Sequence, residues 1–220
     1  MPTVSRAVRR CALVVALGAA LASYELLNRP TAQVHLLQTP LDFALPVVPL
    51  LAFPYVAYLP LALAVLVALA LSSWPRFRTL ALAFIILCVA ADLCYVFFQT
   101  RVARPVVPGD DLASQLVRLV YAHDQPFNDL PSQHAGGALM LAVATLRWRR
   151  RVGLVVLPLA VAIIASTVLI RQHSLIGAGA GLMLGAACYA LALGLEAPHD
   201  SGELSRKGGS AATHGRDGAK

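Results

Sequence analysis

Residues 50–71 read LLAFPYVAYLPLALAVLVALAL, and no charged side chain interrupts them. Coiled as a helix at about 1.5 Å per residue, such a run is long enough to cross a hydrocarbon core of about 30 Å. It is apolar all round, so it needs lipid or other helices on every side. The next run, Thr79 to Phe98, repeats the pattern with one carboxylate, Asp92. Outward from these two, further runs span Cys11 to Leu27, Ala135 to Leu146, Val152 to Ile170 and Ser174 to Leu195. The chain of 220 residues is 58% hydrophobic and 13% charged, with a mean hydropathy of +0.70, a balance that a soluble core of this size does not hide.

The sequence therefore predicts an all-α fold, a six-helix transmembrane bundle over residues 11–195. A basic cytoplasmic segment (1–10) precedes it, and a disordered cytoplasmic tail (196–220), rich in Gly, Ser, His and charge, follows. The fourth run is short. It reaches a spanning length only if its helix starts near Ser132 and continues into the arginine cluster, whose side chains snorkel to the interface. The first run, behind Arg6, Arg9 and Arg10 and ending in small residues, also has the form of a cleavable signal peptide. An uncleaved span is favoured because six crossings explain the charge pattern. With the N-terminus inside, thirteen Lys and Arg residues fall on the cytoplasmic side, and five (Arg29, Arg101, Arg104, Arg118 and Arg171) fall outside.

The net charge of +7 lies in short clusters between apolar runs, without an aromatic-studded basic patch, which points away from nucleic acid as a partner. Cys11, Cys88, Cys94 and Cys188 all lie in apolar stretches and read as packing residues, with no disulfide framework or metal site indicated. The bilayer is the partner that composition demands; the oligomeric state is not set by it.

The outer segments carry the chemistry. Arg101 and Arg104 follow the third run, His134 opens the fourth, and Arg171 and His173 end the fifth, so six crossings bring all of them to one side. Arg grips phosphate oxygens in a fork, and His exchanges a proton or attacks near neutral pH. In Asn128-Asp129-Leu130-Pro131-Ser132-Gln133-His134, Ser132 is placed to cap the following helix, whose first amides then face an anion. Ser166 lies seven residues before His173, on one helix face if the helix stays regular, and Arg171 then points elsewhere unless the helix unwinds after Ile170. Ser166 is equally read as bonding within its own helix.

Pro131-Ser132-Gln133-His134 after Phe127-Asn128-Asp129, with Ser166 to His173 downstream, resembles the second and third motifs of the type 2 phosphatidate phosphatase superfamily. The branch it is most similar to is that of the inositol phosphorylceramide synthases. Arg104-Pro105 resembles the end of the first motif, and Thr39-Pro40-Leu41-Asp42 the segment before the second span of small bacterial members. The resemblance covers about Arg29 to Leu184.

What it implies is metal-independent, cofactor-free chemistry on a phosphorylated lipid, as a phosphatase or a phosphotransferase. His173 would be the nucleophile that becomes a phosphohistidine and His134 the general acid. Arg104, Arg171, Arg101, Ser132 and Gln133 would bind phosphate. A neutral nucleophile beside a protonated acid predicts a bell-shaped pH profile.

The chain departs from the family pattern in three places. Phe97 stands where the first motif opens with Lys, Thr167 where the third carries its earlier Arg, and Gly177 where an Asp would orient the nucleophile one turn later. Arg101 and Arg171 are candidates for the missing charge. Asp92 is the candidate orienting carboxylate, because an intramembrane Asp is paired or functional; Asp124 and Asp129 are weaker candidates from loops. The alternative is a catalytically degenerate bundle that binds anionic headgroups or scaffolds partners, with Gly177, Gly181 and Gly185 serving close helix packing. Arg29 and Arg118 read as headgroup anchors, and His35 and His123 as loop residues. Tyr55, Tyr58, Trp74 and Trp148 read as interfacial anchors.

Overall fold

Each of the six apolar runs forms a helix in the computed structural model, which describes residues 2–196. These are α1 (Pro2–Leu27), α3 (Ala52–Ser72), α4 (Trp74–Phe97), α6 (Gln133–Trp148), α7 (Arg150–Leu169) and α8 (Leu175–Glu196). Two shorter helices, α2 (Pro40–Ala44) and α5 (Leu112–His123), lie in the connections. Five segments are long and apolar enough to cross a membrane: Arg6–Leu27, Pro49–Ser72, Trp74–Phe97, Arg150–Leu169 and Leu175–Leu195. The chain is a multi-pass helical membrane protein. The helix at the fourth run, α6, has 16 residues, about 24 Å of length, and is not among the five. It lies instead at the centre of the bundle, packed on α3, α4, α7 and α8, so other helices rather than lipid cover most of it. The tail expected over residues 196–220 lies outside the described residues from 197 onward, and Glu196 closes α8.

One end of the bundle is plain. Ser73 alone joins α3 to α4, and Arg149 alone joins α6 to α7. Ser73 precedes Trp74-Pro75, a start that suits a proline in the first turn. The core at this end and through the middle is built from Leu69, Leu80, Phe84, Leu87, Met140, Leu141 and Ile163, all essentially without exposure.

The other end is elaborate. β1 (His35–Leu36) pairs in parallel with β2 (Thr100–Arg101), and Arg101 also bridges to Phe127. Helix α5, which sequence reading did not anticipate, is capped by Asp111, whose carboxylate accepts from the Ser114 amide at 3.0 Å. Its buried Val117 and Val120 pack with Ala52, Tyr55, Val107 and Ile170 as a separate apolar cap over that end. Helix α1 packs chiefly on α4, where Ser23 donates to Asp92 at 2.6 Å and Tyr24 meets Tyr95 edge to face.

Candidate active site

The elaborate end holds both histidines. Ser132 caps α6 as expected, its hydroxyl accepting from the Ala135 amide at 3.2 Å, and its own amide donates to Gly177 O at 2.9 Å. That bond ties the start of α6 to α8 and fixes His134 in the first turn. The regular helix required to align Ser166 with His173 does not persist: α7 ends at Leu169, and Arg171 takes φ 55°. The chain folds back so that the amides of Gln172 and His173 both donate to Thr167 O, at 3.0 and 2.8 Å. Ser166 bonds to Ile163 O within its own helix at 2.6 Å and supplies nothing to the site.

His173 thus sits in the turn between α7 and α8, only 3% exposed, and its ring centroid lies 6.3 Å from that of His134. Two rings at that spacing can flank one tetrahedral anion. The Nδ1 atom of His173 is 2.9 Å from the main-chain oxygen of Asp129. A carbonyl only accepts, so Nδ1 carries the hydrogen and Nε2 of the neutral ring keeps the lone pair. The Asp129 carboxylate stands 3.7 Å from the same nitrogen. It is wholly buried and held by the Ser174 amide and hydroxyl, each at 2.7 Å.

Gly177 and Asp129 are two halves of one feature. A Cβ at position 177 would lie 2.3 Å from Asp129 O and 2.4 Å from its Oδ1. The volume a side chain at 177 would fill is occupied by a carboxylate arriving from the α5–α6 connection. The glycine stripe also lets α6 approach, since a Cβ at Gly181 would meet Ser132 O at 2.2 Å. The expectation for Asp92 is corrected: it faces α1, bonded to Ser23, and the carboxylate beside His173 is that of Asp129.

The arginines divide. Arg171 is 5% exposed, and its guanidinium donates to the main-chain oxygens of Asp42, Phe43 and Leu45, the last at 2.5 Å. Its left-handed backbone turns it toward α2 and away from the space between the histidines, so it braces the α2 segment. Arg101 is exposed on β2. Arg104 donates to Asp124 O at 2.7 Å, to Gln125 O at 3.1 Å and to the Gln172 side-chain oxygen, while its Nε is buried without a partner. Burial lowers the Arg104 pKa from its ordinary value, and the Asp124 carboxylate pulls the other way. Arg118 donates to Val107 O and Gly109 O, which ties α5 to the loop before it.

Sequence reading missed several residues here. Among the described residues, four buried N–H donors lack partners: Arg104 Nε, Gln133 Nε2, Gln172 Nε2 and Asn128 Nδ2, the last with an unpartnered Oδ1 beside it. Buried donors are normally satisfied, and these orphans stand next to His134, His173 and Asp129 in the chain or, for Arg104, on a side chain bonded to Gln172, a placement that suits an oxyanion. Gln172 and Asn128 stood inside the quoted motifs, and only their burial distinguishes them. Tyr55 and Tyr58 are not interfacial anchors: both are buried, and their rings pack on His134 at 4.4 and 4.5 Å. The Tyr55 hydroxyl donates to Asp124 at 2.7 Å, and Asp124 also accepts from Tyr24 at 2.9 Å and from Asn28 at 2.8 Å.

Beside His134 a cavity of about 360 Å³ opens between α1, α3 and α5. Leu21, Val56, Leu59 and Val120 line it together with Gln133, His134 and Asp124.

No protein-family model, curated protein or solved structure matches the chain.

Asp42 locks the site from beneath. Burial opposes its ionisation, but the amides of Leu175 and Thr39, the Thr39 hydroxyl and the Arg171 charge outweigh burial and hold its pKa below the ordinary value. Its Oδ1 accepts from Leu175 N at 2.7 Å, at the start of α8 directly after His173 and Ser174. Burial pushes the Tyr121 phenol up to about 12, so it stays protonated and donates to Ile170 O at 2.7 Å.

Proposed function

We propose that the protein is an integral-membrane phosphatase or phosphotransferase acting on a phosphorylated lipid through a phosphohistidine at His173, as a member of the type 2 phosphatidate phosphatase superfamily. The observation that carries this reading is the pair of imidazoles 6.3 Å apart, with Nδ1 of His173 held by a carbonyl. In the reaction, the His173 Nε2 lone pair forms a bond to phosphorus while the bond from phosphorus to the lipid oxygen breaks. His134 gives its proton to that oxygen. A water or an acceptor hydroxyl then attacks phosphorus and passes its proton to His134, and the nitrogen–phosphorus bond breaks to restore neutral His173. Arg104 and the orphan amides of Asn128, Gln133 and Gln172 hold the non-bridging oxygens. The Asp129 carboxylate favours the charge that builds on His173 during attack.

The cavity between α1, α3 and α5 supports a lipid substrate, because apolar side chains of all three helices line it together with His134. In this reading α6 is a sixth, short crossing shielded by its neighbours, and the positive-inside bias supports a site on the non-cytoplasmic face with both termini in the cytoplasm. Hydrolysis is the first choice, and transfer to a hydroxyl acceptor uses the same intermediate. The commitment of Arg171 to loop carbonyls favours the second reading, a bundle that binds anionic headgroups without turnover.

The test is phosphate release from phosphatidate, an isoprenoid diphosphate and other lipid phosphates by the purified protein, with and without a polyol acceptor. Release abolished by His173→Ala with folding intact supports the enzyme; equal inertness of wild type and variant across the lipids supports the binder.

A further inference from the structure

At the opposite end of the bundle from the histidines, a cavity of about 330 Å³ is lined by Arg76 and Thr79 of α4, Arg147 of α6, and Tyr189 and Leu193 of α8. Arg147, Tyr189 and Leu193 also border a second cavity of about 230 Å³, whose remaining wall is Leu139, Met140 and Val143 of α6 with Gly185, Ala186 and Ala190 of α8. Because they share Arg147, Tyr189 and Leu193, the two spaces adjoin, and together they offer a slot with a basic mouth and an apolar continuation from Leu193 to Gly185, about 12 Å along α8.

Among the described residues the charges at the mouth have no counter-ion. Among the described residues, no carboxylate lies within salt-bridge distance of Arg76 or Arg147, and the hydrogen bond Arg76 makes is to Ser73 Oγ at 3.1 Å. The positive-inside bias explains why arginines gather at this end, but not why two of them, from helices distant in sequence, face one recess that continues as an apolar groove. An anionic phospholipid fits both halves: its phosphate sits between two guanidiniums and the phenol, and an acyl chain follows α6 and α8.

We propose that this slot is a binding site for a resident anionic phospholipid of the leaflet at the basic end, distinct from the substrate site. It does not depend on the phosphohistidine reading, because none of its residues touches the histidine pair. The lipid clamps the ends of α4, α6 and α8 together, and so bears on α6, the short central helix that carries His134.

Full-length protein in nanodiscs or mild detergent is probed with phosphatidylglycerol and with phosphatidylcholine, and retained lipid is counted by native mass spectrometry. Two arginines at the membrane surface contribute about 30-fold in affinity. Arg76→Gln with Arg147→Gln therefore lowers phosphatidylglycerol retention by about that factor and leaves phosphatidylcholine unchanged. Ala186→Phe, on an exposed position of α8, fills the groove with the charges intact and also releases the lipid. Arg150→Gln with Arg151→Gln, equally basic and outside the slot, leaves retention unchanged.

Three results each overturn the proposal. One is unaltered retention in both slot variants. Another is an equal loss in the control pair, which reduces the effect to surface charge. The third is displacement of the lipid by millimolar inorganic phosphate, which makes the mouth a free-anion site.

Discussion

Asp129→Asn separates the two things Asp129 offers to His173. The substitution keeps side-chain size and leaves the main-chain oxygen 2.9 Å from Nδ1, so the tautomer with its lone pair on Nε2 persists. What disappears is a negative charge 3.7 Å from the ring. At an effective dielectric of about 20, unit charges at that distance attract by about 4 kcal/mol. Under the proposed phosphohistidine mechanism the imidazole carries only part of a charge in the transition state, so roughly 3 kcal/mol of stabilisation is lost, about 10²-fold in turnover. In serine proteases the loss is about 10⁴-fold, because there the same carboxylate also sets the tautomer.

The assay is single-turnover phosphate release with rapid quenching. The expectation is that kcat and kcat/KM fall together, which marks an interaction made in the transition state. The thermal midpoint is measured alongside, since one amide hydrogen now faces the Ser174 donors. A loss of 10⁴ or more in a folded variant would show that the carboxylate, and not the carbonyl, governs the ring; an unchanged rate would remove Asp129 from the mechanism.

Further outcomes follow from the same geometry. Gly177→Ala places a methyl against Asp129 O and lowers the thermal midpoint by an amount corresponding to about 2–3 kcal/mol; adding Asp129→Ala does not restore it, because the nearest clash is with the main chain. Arg171→Met removes a buried guanidinium from three carbonyls and costs roughly 3 kcal/mol of stability, seen in thermal unfolding, while anion affinity of the folded fraction, measured with vanadate, stays within about twofold. Asp42 has a pKa below that of its unfolded form, so its contribution is present above about pH 4 and is lost as pH falls through the folded value. Thermal midpoints taken from pH 7 down to pH 3 therefore drop for wild type, whereas Asp42→Asn starts lower at pH 7 and changes less. Tyr55→Phe keeps the ring stacked on His134 but withdraws a hydroxyl from Asp124; turnover falls about tenfold while folding is retained.

Most of the scaffold is legible along the chain because a helix in lipid must satisfy its own backbone and be apolar outside, and both requirements are local. The run at 50–71, the Ser132 cap and the short fourth helix can be read without knowing what touches what. Helix α5 is hidden by its length and by charged neighbours, although Asp111 followed by Leu112, Leu116, Val117 and Val120 carried a cap and an apolar stripe. The pairing of His134 with His173 was accessible from span parity and motif order, which predict that both lie at one end of the bundle.

The support around the two histidines belongs to the tertiary structure. A side chain is selected by the space and charge at its destination, and that destination is set by elements remote in sequence. Gly177 reads as a deletion of the orienting carboxylate until Asp129, 48 positions earlier in the chain, is seen occupying its volume. Arg171 reads as a phosphate ligand until one left-handed residue turns it onto the carbonyls of α2 and the loop that follows. The sequence determined which chemistry-bearing residues were available and at which end of the bundle they gather; only close packing of α6 against α8 decided which carboxylate meets His173 and which arginine keeps an unpartnered donor.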